Sequence, residues 1–263
     1  QGITELLPVS STAHMRVVPA LLGWQDPGSA FSAAMQLAAL AAVVSYFWRD
    51  VRQVTTGSIS AVRRGDYNDR WFKLAVAIVL ATVPIGIAGL ALSSTLNACN
   101  SPLRGLMVIG ISCVVMAVLL ALAEVRARHS RDVSQMRLRD ALIVGVAQIG
   151  ALIPGVSRSG STLTAALFLN FKREEAARFS FLLGLPAIAL AGLKELWVLL
   201  RADLPAHAWP HLMFGLVVAS VSAFFAIWGL MKFLERFSTW PFVIYRALLG
   251  VFLIVAVSTG LLT

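Results

Sequence analysis

Six apolar stretches, near residues 30–48, 73–94, 105–123, 179–200, 212–231 and 242–262, run for about the 20 helical residues that a ~30 Å hydrocarbon core requires. In lipid every backbone N–H and C=O must be paired inside the chain, so such stretches read as helices. The predicted fold class is therefore an all-α integral membrane protein. Only 13% of the residues are charged and 58% are hydrophobic, against about a quarter charged in a soluble domain. Pro84, Gly86 and Gly89 fall within the second stretch and Pro186 within the fourth, where kinks are predicted. The formal net charge of +9 reads as cytoplasmic loops facing an anionic lipid surface, not as a nucleic-acid site. The two cysteines, Cys99 and Cys113, have no metal-type spacing and read as unpaired.

The charges between the stretches set the orientation. Arg49, Arg52, Arg63, Arg64, Arg70 and Lys73 follow the first, and Arg126, Arg128, Arg131, Arg137 and Arg139 follow the third. Lys172, Arg173 and Arg178 precede the fourth, and Lys232 and Arg236 precede the sixth. The positive-inside rule puts these groups in the cytoplasm. Residues 141–171 must then enter and leave on one side, and they are too short for two crossings. A re-entrant helical hairpin is predicted there, broken at Pro154–Thr162. Residues 1–29 read as part of a second one, on the outer side, broken at Pro8–His14. The chain opens without Met inside this motif, so residues completing the first hairpin are expected upstream of Gln1.

The halves resemble each other. Gln1 leads to Pro8-Val9-Ser10-Ser11, and Gln148 leads to Pro154-Gly155-Val156-Ser157. Three stretches follow each, and an odd number inverts the second half relative to the first. The expected plan is a single membrane domain, with one repeat over 1–123, a cytoplasmic loop at 124–140 and a second repeat over 141–263. It holds six transmembrane helices plus two re-entrant helical hairpins in an inverted-topology repeat.

The two breaks carry the chemistry. A carboxylate, a histidine, a guanidinium and a row of hydroxyls are costly at membrane depth and mark a functional site by default. Half-helix N-termini expose backbone N–H groups suited to anions. Ser157, Ser159, Gly160 and Thr162 are candidates for such a nest. Arg158 adds a planar fork matched to phosphate oxygens. Glu5 is a candidate ligand for a hard divalent cation that would meet the phosphates, and His14 a candidate acid–base group or nucleophile. Blander roles stand beside these. A membrane-helix serine such as Ser10 commonly bonds the preceding turn. Arg158 and Glu5 would also suit a buried pair that only locks the hairpins, and Arg246, near the inner end of the sixth stretch, reads as structural, with snorkelling to the interface set against a part in orienting the site. Trp24, Trp48, Trp71, Trp197 and Trp240 fall at stretch ends, as interfacial belts do. His129, His207 and His211 receive no role.

At these residues the chain resembles the bacterial undecaprenyl-diphosphate phosphatases, also called bacitracin-resistance proteins. One signature is an acidic residue or Gln, three residues, Glu, then Pro-x-Ser-Ser-x-x-His; the other is Pro-Gly-x-Ser-Arg-Ser-Gly-x-Thr. Phe31…Gln36-Leu37, Phe179-Ser180-Phe181-Leu182-Leu183…Pro186-Ala187 and Tyr245-Arg246 also look familial. The resemblance implies a hydrolase of the bacterial inner membrane, with its site opening to the periplasm, that turns undecaprenyl diphosphate into the monophosphate for reuse as the cell-wall lipid carrier. It implies Mg²⁺ or Ca²⁺ held by Glu5, with Gln1 a weaker ligand where many relatives have Glu. It implies Arg158 as phosphate clamp, and Ser11, His14, Ser157 and Thr162 lining the site, with Ser159, Gly160 and Ser10 toward phosphate. Ser11, Ser157, His14 and an activated water all stand open as the attacking group. The expected partners are the isoprenyl diphosphate and membrane lipid; a homodimer is compatible with the sequence. The rival reading is a transporter or flippase of isoprenyl phosphate lipids, which would use the same anion site and the same broken helices.

Overall fold

The computed structural model describes residues 1–24, 28–92, 105–201 and 208–262. Cys99 and His207 lie outside them. The described residues are helical, with no strand among them beyond one isolated bridge between Arg131 and Phe171. In order the helices are α1 (Gly2–Leu6), α2 (Ser11–Leu22), α3 (Gly28–Tyr46), α4 (Trp48–Arg64), α5 (Arg70–Ala91), α6 (Leu106–Arg126), α7 (Leu138–Gln148), α8 (Arg158–Phe168), α9 (Arg173–Arg201), α10 (Ala208–Arg236) and α11 (Trp240–Ser258).

Five segments are long and apolar enough to cross a membrane: Arg70–Ala91, Leu106–Arg126, Arg173–Lys194, Trp209–Arg236 and Trp240–Ser258. They match the predicted stretches from the second to the sixth. The first falls on α3, whose described side chains form the shorter apolar segment Met35–Tyr46. These helices are apolar on their outer faces as well as their inner ones, with Leu90 80% and Phe214 73% exposed. An all-round apolar helix belongs in lipid, and the chain is a multi-pass membrane protein. The helices continue through Pro84 and Pro186.

Small residues let the helices approach closely, as expected where lipid offers little hydrophobic drive for association. A Cβ on Gly250 of α11 would come within 2.7 Å of the Gly110 carbonyl of α6, and one on Gly145 of α7 within 2.2 Å of the Ala81 carbonyl of α5. Around Phe171, Phe179, Phe181 and Leu183 lies the main buried cluster, which ties α8 and α9 to α3, α5, α6 and α10.

The segment at 49–73, read from sequence as a charged connection, is largely the helix α4. Its buried side, with Ala61, lies on α5, where Gly57 admits the Trp71 side chain. Trp48, Ile59 and Val62 are exposed.

The predicted loop at 124–140 is held by ion pairs. The Arg131 guanidinium donates to Asp140, stacks on the Phe171 ring at 4.4 Å and reaches the Leu169 carbonyl at 3.0 Å. Arg173 pairs with buried Glu124, which also accepts from the Thr239 hydroxyl at 2.8 Å. The Lys172 N–H donates to the Arg131 carbonyl at 2.9 Å and the Arg128 N–H to Asn170 at 2.9 Å. The approach to α7 and the exit from α8 therefore lie side by side.

Candidate active site

Both broken strings are helix, break, helix. α1 stops at Leu7, whose backbone is extended, and α2 starts after Ser10. α7 runs through a short 3₁₀ turn, Ile149–Leu152, and α8 starts after Ser157. The two serines are equivalent in conformation. Ser10 has φ 69° and Ser157 φ 72°, a sparsely populated backbone region that costs a non-glycine residue about 1–3 kcal/mol. Each then caps the helix that follows. The Ser10 Oγ accepts from the Ala13 N–H at 3.4 Å and the Ser157 Oγ from the Gly160 N–H at 3.2 Å. The first amides of α2 and α8 have no partner within their own helices.

The breaks are joined directly. The Ser159 Oγ donates to the Leu7 carbonyl at 3.1 Å. Arg246 of α11, 1% exposed, lies between them: it donates to the Pro8 carbonyl at 3.1 Å, the Gly155 carbonyl at 2.8 Å and the Val156 carbonyl at 3.0 Å. One buried guanidinium thus brackets carbonyls from both strings. A structural part for Arg246 is what its position gives, and it is a part at the site rather than at a membrane edge.

Arg158 is differently placed. Its two terminal nitrogens are shut off from solvent and have no hydrogen-bond partner, and Glu5 is the acidic group whose charge acts on it. The guanidinium lies over Gly184 of α9, where a Cβ would sit 1.9 Å from it. A locking pair with Glu5 would satisfy those nitrogens, and they are unsatisfied; Ser159 and Arg246 do the locking. Glu5 instead accepts from the Ser11 hydroxyl, Oγ to Oε2, at 2.6 Å.

His14 is one turn beyond Ser11 on α2. Its Nδ1 meets the Ser10 carbonyl at 2.8 Å and its Nε2 meets the Tyr245 hydroxyl at 2.5 Å. A carbonyl only accepts, so Nδ1 carries the hydrogen, and in the neutral ring Nε2 accepts from the phenol. The remaining predicted residues are tied into the frame. Thr162 is fully buried, donates to the Arg158 carbonyl at 2.8 Å and contacts the Ser180 hydroxyl. Ser157 and Ser159 bond each other at 3.1 Å. Gly160 packs against Arg246, with a would-be Cβ 3.0 Å from its guanidinium. Gln1 precedes α1, one turn before Glu5, whose N–H donates to the Gln1 carbonyl at 2.9 Å.

The structure therefore gathers Glu5, Ser11 and His14 from one string and Ser157 and Arg158 from the other, around breaks that touch. Sequence reasoning gave no role to Tyr245 or Gly184. The Tyr245-Arg246 pair within an apolar span was the available signal, since a mid-span arginine is costly without use. For Gly184 no local signal exists.

The bacitracin resistance protein BacA family profile matches residues 1–252. The chain is 74% identical over 260 residues to a Mesorhizobium japonicum protein named undecaprenyl-diphosphatase 2, with 99% of this chain and 98% of that protein covered. It is 52% identical to an undecaprenyl-diphosphatase of Gloeobacter violaceus, covering all of this chain and 90% of the relative. It is 49% identical to one of Synechococcus elongatus, covering all of this chain and 91% of the relative.

Proposed function

The chain belongs to the bacitracin resistance protein BacA family, and from that membership and the paired breaks we propose that it hydrolyses undecaprenyl diphosphate to undecaprenyl phosphate and inorganic phosphate. It is a membrane phosphatase acting on a lipid diphosphate. The observation that carries the reading is Arg158: a buried guanidinium with two unpartnered nitrogens, within range of the charge of Glu5, the α1 carboxylate that accepts from Ser11 of α2. A buried cation without a hydrogen-bond partner is expensive, and a phosphate group supplies what it lacks.

Phosphoryl transfer is mostly positioning and charge stabilisation. The Arg158 fork takes phosphate oxygens, and the first amides of α2 and α8 add donors. Arg246, through carbonyls of both strings, and Ser159, through Leu7, hold the halves of the site in register. Ser10, Gly160 and Thr162 fix the turns that aim the neighbouring groups. Ser11, with its hydrogen on Glu5, keeps its oxygen lone pairs for the pocket. The donor set fits a hard cation shared with substrate better than one caged by protein, because no group of three or more His, Cys, Asp or Glu side chains able to hold a metal occurs among the described residues. Mg²⁺ or Ca²⁺ at Glu5, with Gln1 as a weaker neighbour, would fill its shell with water and phosphate oxygens and neutralise phosphate charge.

We also read the fold as six crossings with α1–α2 and α7–α8 as re-entrant hairpins in inverted repeats, in the bacterial inner membrane, with the site opening to the periplasm. The joined ends of the α7–α8 segment and the excess of basic residues on both sides of it support this.

Phosphate release in detergent tests the function. Hydrolysis there, where no second compartment exists, favours the enzyme; binding of lipid diphosphate without hydrolysis favours the flippase. Arg158→Ala should lower kcat by about 10²–10³-fold or more with the fold intact, and Arg158→Lys should recover little, because an ammonium lacks the fork. Near-normal turnover of Arg158→Ala would reject the clamp.

A further inference from the structure

Both nitrogens of His14 are occupied. Nδ1 is held by the Ser10 carbonyl at 2.8 Å, and that carbonyl belongs to the strained cap residue at the break. Nε2 is held by the Tyr245 hydroxyl at 2.5 Å, and the two ring planes are nearly parallel, 5° apart, with centroids at 5.6 Å. The Nδ1 bond fixes the tautomer, leaving Nε2 as the basic atom. While the phenol sits on it, no water or substrate oxygen can reach that atom. Proton traffic to His14 must pass through the Tyr245 oxygen. Tyr245 is 43% exposed, so the phenol is not sealed inside the helix bundle. Its neighbour in sequence, Arg246, is bonded to both breaks, which pins this stretch of α11 to the site. Two consecutive residues of α11 thus act together at the breaks: one ties both of them and the other closes on the histidine of the first.

Resting on the phosphatase reading, we propose that Tyr245 and His14 form one proton relay, with Tyr245 the member that meets the attacking water. The water oxygen bonds to the terminal phosphorus and gives its proton to the Tyr245 oxygen. The phenol's own proton passes to His14 Nε2. The phosphoanhydride P–O bond breaks, and the lipid monophosphate leaves with the electron pair. The imidazolium then returns its proton to solvent through the same phenol. No further reactant is needed.

The test is a double-mutant cycle on the detergent-purified full chain, using phosphate release from C55 and farnesyl diphosphates. Tyr245→Phe keeps the ring and its packing and removes only the hydroxyl. It should lower kcat by about tenfold or more while KM stays within about twofold, as loss of an acid–base group does. In a His14→Gln background the same change should cause no further loss, because groups acting as one unit are not additive. Tyr245→Phe at near wild-type kcat overturns the relay, as does a loss that repeats in full in the His14→Gln background. If the wild-type control releases no phosphate, the phosphatase reading fails and the relay with it, an outcome separate from the other two.

Discussion

Ser10 and Ser157 adopt the left-handed backbone that serine avoids, and each does so where a helix must restart. Strain of this kind persists where the surroundings over-determine it, and here the surroundings are the caps and the Arg246 bonds. Glycine at 184 answers a related demand. It is helical, so its role is not conformational freedom but room: the Arg158 guanidinium occupies the space a side chain would take. Gly184→Ala is therefore expected to push the fork aside and lower phosphate release by at least about tenfold, with thermal stability in detergent close to wild type. Wild-type activity in that variant would mean that the guanidinium works from another position. Residue types at the breaks were legible because hydroxyls, charge and histidine stand out in an apolar chain. Which partner each of them takes was not. Ser159 and Thr162 look as available as Ser11 in sequence, yet the first holds Leu7 and the second holds the Arg158 turn.

At the scale of elements, the two helix–break–helix units were predictable from length and charge, whereas α4 was not read as a helix. Its arginines fit a solvated connection equally well, and the packing of its buried side on α5 is a tertiary contact. The ion pairs at the mouth of α7 are likewise tertiary. Burial opposes ionisation of Asp140, but hydrogen bonds from the Arg131 guanidinium and the Arg137 N–H outweigh it and hold the carboxyl below the usual range. A depressed folded-state pKa stabilises the fold above the unfolded value, about 4 for Asp, and that stabilisation is lost as pH falls through the folded value. Wild type should therefore melt above Asp140→Asn at pH 7, and the gap should narrow as the pH is lowered below about 4. A gap that is constant down to pH 3 would show that the pairing contributes nothing.

For the whole molecule, orientation is the testable quantity. In a background without Cys99 and Cys113, Arg128→Cys should react with a membrane-impermeant maleimide from the cytoplasmic side, and Thr259→Cys from the opposite side. Labelling of both from one face would overturn the span count and with it the inverted arrangement. What the sequence alone determined is the material: which segments suit lipid, where they break, and which charged groups are too costly to lie idle there. Those are local properties, set by side-chain transfer energies and backbone hydrogen bonding within a few turns. Only the tertiary structure decided which partner each polar group takes. His14 finds Tyr245, and Arg246 finds carbonyls of both breaks, across more than 80 residues of chain in every case. Hydrogen bonds act over about 3 Å, and spacing along a chain says nothing about distances that small between residues so far apart in it.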